Sequence, residues 1–365
     1  MMHKAMMQAE MTPAETAALL DATATAPYRD DKLSSAPALT CMLCEKHGAS
    51  LYTELSDWLF SAPGNWGVRQ CAACQIAWLD PEPAADTIPK LYAQYYTHST
   101  SESPVSFKSI RDEISQCVLN RLGYRVERPT RLLPRLLAHI PPIARAFQLE
   151  VFDLPAGNGG TLLDVGSGDG MFIARMRALG WRTSGVDPDP EAVAFAQSQE
   201  LEVFQGTVAD VPLEATFDVI TLSHVIEHVA DPIGLLRECR RRLRPGGRLF
   251  ITTPNIQSLG HRWFGKYWRG LEIPRHLTLF SLHSLAQCLF RAGLRPNVLR
   301  TETRMAVRIH NASACAKNGE ENVSQRRTFG ATTKITGYVF MLVENTLIYL
   351  RRNLGEEIFC ECSAA

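Results

Sequence analysis

The run Leu162-Leu163-Asp164-Val165-Gly166-Ser167-Gly168-Asp169-Gly170 constrains this chain more than any other stretch. An apolar strand ends at an acid and passes through three alternate glycines into an amphipathic segment, Met171 to Leu179. Such a turn brings bare backbone N–H groups close to a ligand at a helix start. A second anchor, Val186-Asp187, ends the next apolar strand. Its acid follows Gly166 by about 20 residues, the separation at which a doubly wound sheet sets a carboxylate on ribose hydroxyls.

The glycine spacing selects the ligand class. A dinucleotide fingerprint needs glycine at its first, third and sixth positions. Here the sixth position is Met171, and glycine stands at the fifth, Gly170. That disfavours a nicotinamide oxidoreductase. The G-x-G-x-G turn resembles the first motif of class I S-adenosylmethionine-dependent methyltransferases.

Composition narrows the choice further. The 365 residues are 45% apolar, enough for a sizeable core and appendages. The 38 basic and 38 acidic residues cancel, which removes the simplest case for a nucleic-acid partner. No apolar run has the length of a membrane span. The N-terminal segment lacks a continuous apolar core, and its first arginine is Arg29, so neither a signal nor a transit peptide is expected. A cytoplasmic protein with reduced thiols is the expectation.

Four of the ten cysteines form two C-x-x-C pairs, Cys41/Cys44 and Cys71/Cys74. This pattern suits a tetrahedral zinc site with four thiolate ligands, coordinatively closed and therefore structural. The other six cysteines show no ligand spacing and read as small apolar residues.

The pattern predicts an α/β protein with a doubly wound, Rossmann-like sheet and a small N-terminal zinc ribbon. Residues 1–38 read as a disordered segment with a short helix over Ala14 to Ala22. Residues 39–80 form the zinc ribbon and residues 81–158 a helical connector or lid. Two helices are expected in the connector, Ile110–Leu122 and Arg131–Phe147; their basic and apolar alternation suits a lid, a subunit contact or a membrane face. Residues 159–365 form the cofactor domain, with strands at Leu162–Val165, Thr183–Val186, Glu202–Phe204, Phe217–Leu222 and Arg248–Thr252. A helical insertion is expected near 331–353, interrupted by Glu344 and Asn345; the methyltransferase resemblance implies an antiparallel last strand, assigned to Glu357–Cys362.

The resemblance sharpens at Phe217 to Val229, at Pro254-Asn255 and at Pro274-Arg275-His276. With the leading cysteine knuckles, the whole is similar to bacterial methyltransferases found among cell-envelope glycan and natural-product genes, and to ubiquinone-type O-methyltransferases. The resemblance implies roles by position. Asp164 and the backbone of Gly166, Ser167, Gly168 and Gly170 would hold the methionine moiety of S-adenosylmethionine. Asp187 would take the ribose hydroxyls and Pro188 the adenine face. Thr207 and Val208 would border the adenine edge; many relatives carry an aspartate near Thr207, and Asp210 is a substitute here. Ser223 and His224 would face the sulfonium. Some ubiquinone-type relatives also bind a divalent ion in this loop, which here would fall near Glu227 and His228.

Methyl transfer to a hydroxyl needs an aligned nucleophile and a proton acceptor. Histidine suits the second task. His276 is the leading candidate base, with His228 its rival and Glu227 its neighbour. Trp263, Tyr267, Trp268 and Arg275 form an aromatic and basic loop suited to a saccharide or phosphate-bearing acceptor. The expected activity is methyl transfer from S-adenosylmethionine to a small-molecule or glycan acceptor at oxygen. Carbon or nitrogen methylation in sugar or natural-product biosynthesis is the alternative. From a different class comes a non-catalytic cofactor-binding module that grips a partner through its zinc ribbon.

Overall fold

The computed structural model describes residues 35–84, 87–92, 109–127, 129, 131–320 and 329–365. The expected helix over Ala14 to Ala22 lies outside them. Four short strands come first in the amino-terminal part: β1 (Ser35–Ala36), β2 (Ala49–Leu55), β3 (Trp66–Gln70) and β4 (Ala77–Asp80). β5 (Glu82–Pro83) returns to pair with β1, so residues 35 and 36, within the segment 1–38 expected to be disordered, form a strand. α1 (Ile110–Arg121) opens on a capping box in which Ser109 and Asp112 exchange hydrogen bonds. α2 (Leu132–Leu137) and α3 (Pro141–Leu149) stand where one helix over Arg131–Phe147 was expected. Pro141 and Pro142 divide them, because proline tolerates a first helical turn and not an interior one.

The cofactor domain alternates strand and helix: β6 (Thr161–Val165), α4 (Met171–Ala178), β7 (Arg182–Asp187), α5 (Pro190–Ser198), β8 (Val203–Gln205), β9 (Phe217–Ser223), α6 (Pro232–Arg242) and β10 (Leu243–Pro254). There follow α7 (Leu259–Phe264), β11 (Thr278–Leu279), α8 (Leu282–Arg291), β12 (Leu294–Glu302), α9 (Ala306–Lys317), α10 (Ala331–Leu350) and β13 (Glu357–Ala364). Seven strands form one sheet in the order β12-β13-β10-β9-β6-β7-β8. β13 runs antiparallel to both its neighbours, while β10, β9, β6, β7 and β8 pair in parallel. The α/β class and the reversed last strand match the expectation. β12 is an addition: its alternating Arg, Pro and Asn hid the strand pattern, and its register slips at Pro296.

Strand alternation divides the core. Leu162, Val219, Phe250 and Phe359 face one side, packed with Ile173 and Met176 of α4 and Val193 of α5. Leu163, Ile220, Ile251 and Cys360 face the other, packed with Leu236 of α6 and Leu285 of α8. Cys41, Leu43, Cys71 and Cys74 belong to this second cluster. The cysteine module is thus continuous with the cofactor domain's core. β11 adds to the sheet β4-β3-β2 by pairing Thr278 with Trp78 and Leu279 with Ala77.

A buried ion pair fixes this union. Arg275 donates to both carboxylate oxygens of Asp57 at 2.8 and 2.9 Å, and its guanidinium lies 4.2 Å from the Phe60 ring centre. The side chains are 0% and 1% exposed. Asp57 also accepts the N–H groups of Leu59, Phe60 and Ala62, so the carboxylate shapes its own loop. Breaking such a pair strands a charge in the interior. Asp57→Ala is expected to lower stability by about 3–5 kcal/mol in urea unfolding at neutral pH; a loss below about 1 kcal/mol, the range of a surface pair, would contradict this assignment.

Candidate active site

The β6–α4 turn is built from left-handed backbone. Gly166 has φ +72° and lies so close to Val225 that an added Cβ would sit 2.5 Å from its Cγ2. Gly168 has φ +52°, and an added Cβ there would meet nothing within 4 Å. The turn therefore presents bare backbone to open space. The Gly168 N–H donates to Asp187 Oδ2 at 2.7 Å, and the Asp189 N–H donates to Oδ1 at 2.9 Å. Asp187 closes β7 beside the glycine turn, with Pro188 exposed next to it. Burial pushes the Asp187 carboxyl up, while the two N–H donors pull it back. Asp164, also buried, rises to about 7 through desolvation, tempered by a 2.6 Å hydrogen bond from Thr221 Oγ1. Ser167 is buried, with its hydroxyl directed toward Gly185 of β7, so it offers the crevice only backbone.

The expected adenine edge is differently built. The Thr207 hydroxyl donates to Asp210 at 2.9 Å and caps the turn Val208–Asp210. Asp210 also accepts the Thr207 N–H, which leaves that carboxylate committed to the cap. The Val208 side chain is in the core, so only its backbone is available.

His224 ends β9 in left-handed backbone, φ +55°. Its imidazole bridges two carboxylates: Nδ1 to Glu227 Oε1 at 3.1 Å and Nε2 to Glu357 Oε1 at 2.8 Å. Burial opposes the charged ring, but these two hydrogen bonds outweigh it and raise His224 to about 9. Both ring nitrogens are engaged, so His224 is a cationic strut between β9 and β13. Arg304 donates to the same Glu357 at 3.2 Å, and Glu357 falls to about 2 despite its burial. Ser223 shares a 3.3 Å contact with Thr252.

Glu227, His228 and His276 meet just beyond. One ligand atom of each lies within 4.8 Å of the others. His228 is half-buried, with Nδ1 3.1 Å from the Arg275 carbonyl; His276 is buried, with Nδ1 2.8 Å from the Gly270 carbonyl. Each carbonyl accepts from Nδ1, which fixes that atom as a donor, and His276 Nε2 lies 3.5 Å from Glu272 Oε2. The two rings are 4.7 Å apart, edge to face. Burial lowers His276 to about 4, against the opposing pull of Glu272. Thr253 Oγ1 donates to the second oxygen of Glu227 at 2.9 Å.

The aromatic and basic loop disperses. Trp268 is fully buried and donates its indole N–H to Glu356 at 2.7 Å. Arg275 is the buried partner of Asp57. Tyr267 is half-buried under Lys266, and Trp263 stands 67% exposed. None of the four lines the cavity of about 600 Å³ that opens at the carboxyl end of β12. It is lined by Pro141, Leu149, Met341 and Ile348 and by Arg145 and Arg304, with Asp153 and Glu302 paired to Arg145. Arg304 reaches Glu357, which joins that lining to His224. The sequence reading passed over Arg145, Arg304 and Glu357, since nothing local marks residues from three distant elements as neighbours.

In the cysteine module the two knuckles repeat one geometry. The Cys41 and Cys71 carbonyls accept from Glu45 and Gln75, each 2.8 Å away, and both latter residues are left-handed, φ +60° and +59°. Cys41 Sγ and Cys71 Sγ each accept a backbone N–H at 3.4 Å. The four sulfur atoms lie within 4.8 Å of one another, as tetrahedral thiolate coordination requires.

Comparison with known proteins places this geometry. Residues 120–298 match the family described as a methyltransferase domain. That match spans the glycine turn, Asp187 and the loops that carry His228 and His276. A ubiquinone biosynthesis O-methyltransferase of Xanthomonas oryzae pv. oryzae is 37% identical to it over 105 residues, 27% of this chain and 44% of that protein. The counterpart from Xanthomonas campestris pv. campestris is 36% identical over the same shares. The chain thus spans less than half the length of these curated relatives. Among solved structures, a SAM-dependent methyltransferase from Archaeoglobus fulgidus aligns at 18% identity and TM-score 0.40, over 60% of this chain and 91% of that one. One from Mesorhizobium loti aligns at 14% and 0.41, over 59% and 96%.

The raised pKa of His224 gives the methyltransferase domain a defined pH response. Stabilisation by the imidazolium is complete below its unfolded pKa of about 6.5 and is lost as pH rises through about 9. His224→Gln is expected to cost about 2 kcal/mol at pH 6. The gap to wild type, read from thermal unfolding, should narrow as pH approaches 9 or more; a gap independent of pH would contradict the cationic bridge.

Proposed function

We propose that this protein transfers a methyl group from S-adenosylmethionine to a hydroxyl of a small-molecule or saccharide acceptor. The reading is carried by one contact, Gly168 N–H to Asp187, at the rim of an open left-handed turn. When bound, S-adenosylmethionine supplies an electrophilic methyl on a sulfonium. Asp187 would accept the ribose hydroxyls, Pro188 would lie against the adenine, and Asp164 with the glycine backbone would receive the methionine end. The donor set fits, since a bare turn and two carboxyls face a cationic, hydroxyl-bearing ligand. The named activity of the Xanthomonas relatives favours oxygen as acceptor atom.

The acceptor would lie in the cavity bounded by α3, β12 and α10, where apolar side chains meet ion-paired arginines. His228, half-buried with a backbone-fixed tautomer, is the proton acceptor in this reading; buried His276 orients it from the edge. A second reading is favoured by the grouping of Glu227, His228 and His276, a donor set of one carboxylate and two imidazoles that would hold a divalent ion. Cys41, Cys44, Cys71 and Cys74 would hold a structural zinc ion, given the paired knuckles and their place in the shared core.

His228→Ala is expected to lower kcat by about 100-fold or more, with cofactor affinity unchanged. Full activity in that variant, with cofactor still bound, would remove His228 from the chemistry. Activity of the wild type lost to a chelator, and restored by added divalent ion with zinc content unchanged, would select the metal reading. Purified protein should carry about one zinc per chain. Cys71→Ser should lose that zinc and unfold at lower temperature; a metal-free wild type of full stability would contradict a zinc site.

A further inference from the structure

α10, which borders the cavity, and α2, which precedes the bordering α3, turn apolar side chains to solvent. On α10, Gly337, Phe340 and Glu344 are buried, while Ile335, Tyr338, Val339, Leu342, Val343 and Leu350 are 46–77% exposed. These residues recur every three or four positions, so they form one stripe along the outer side. On α2 and the turn after it, Leu132, Leu133, Leu136 and Ile140 are 43–68% exposed. Pro141 and Pro142, next to Ile140, line the cavity from one side, and Met341 and Ile348 of α10 line it from the other. A water-facing helix carries charge on that side; here the exposed charge within α10 is Lys334.

The charge of these segments is one-sided. No acidic residue lies between Glu127 and Glu150, a stretch that includes Arg131, Arg135 and Arg145. From Asn322 to Gly355 the one acid is Glu344, which is buried, whereas Lys334, Arg351 and Arg352 are exposed. These two segments are therefore net basic in a chain that is neutral as a whole. A two-fold pairing of this face with itself would bring like charges together. An anionic bilayer complements it instead, with apolar residues entering the interface and basic residues at the headgroups. No described helix is long and apolar enough to cross a membrane, so the geometry is that of a helix lying in the surface.

We infer that the outer faces of α2 and α10 dock on an anionic membrane surface, with the cavity between α3 and α10 opening toward the lipid. The docking rests on exposure and charge; only the cavity's use by an acceptor with an apolar tail rests on the reading above. The decisive experiment is cosedimentation of the full chain with vesicles of phosphatidylcholine, alone or with about a third replaced by phosphatidylglycerol. Binding should be about tenfold tighter or more to the anionic vesicles and should weaken with salt. Val339→Glu/Leu342→Glu and, separately, Lys334→Glu/Arg351→Glu should each lose at least about tenfold in partition. Both pairs are exposed, and retained binding of S-adenosylhomocysteine would report an intact fold. Wild-type protein that ignores anionic vesicles, or variants that bind them as wild type does, would overturn the inference. So would a solution dimer that Val339→Glu/Leu342→Glu dissociates, since the face would then be occupied by a second copy. Vesicle binding without any binding of S-adenosylhomocysteine by the wild type would instead sink the methyl-transfer reading and leave the docking standing.

Discussion

The architecture turns on how the chain leaves β6. A strand that must become a helix within a few residues, while keeping side chains away from the turn, needs left-handed backbone, which glycine alone adopts without cost. Gly166 has no room for a side chain because Val225, from the loop after β9, closes over it. Gly168 has room and leaves it empty, and directs its N–H to the acid that ends β7. One turn thereby ties the carboxyl ends of three neighbouring strands. The crevice at those ends is where a doubly wound sheet binds its ligand.

Around that crevice the protein uses burial to set charge. Asp164 and Asp187 are raised by desolvation, and a cationic ligand would draw both toward the carboxylate. His224 moves the other way, held cationic by Glu227 and Glu357. The same Glu357 is the partner of Arg304, so the turn after β9 and the cavity under α10 share one ionic network. The cysteine module is part of this frame. Its knuckles enter the second core cluster, its sheet takes in β11, and Asp57 neutralises Arg275 one residue from His276. Loss of order at the cysteines would therefore be felt at the loop that carries His276.

Much of the sheet was legible because its signals are local. Each parallel strand is a short apolar run and the glycine turn is contiguous, while the reversal of β13 was implied by the resemblance to methyltransferases. Other features depend on partners far away in sequence. Arg275, Trp263, Tyr267 and Trp268 read as a ligand-facing group from their types alone. Asp57 and Glu356, which draw Arg275 and Trp268 inward, lie in other elements. His276 looked free for the same reason, although the Gly270 carbonyl and its buried surroundings hold it neutral. β12 escaped notice because Arg295, Pro296 and Asn297 break its apolar pattern and its pairing with β13 is not local. The double proline at 141 was visible, but a basic and apolar alternation running across it concealed the break.

The central claim is that Asp187, seated on the Gly168 N–H, holds the sugar of an adenosyl ligand. Calorimetric titration with S-adenosylhomocysteine, comparing the wild type with Asp187→Ala of matched thermal stability, tests it most directly. The account predicts saturable binding by the wild type and affinity at least about tenfold weaker in the variant, the loss of hydrogen bonds to a charged group. Equal affinities in the two proteins, or no binding by a folded wild type, would contradict it.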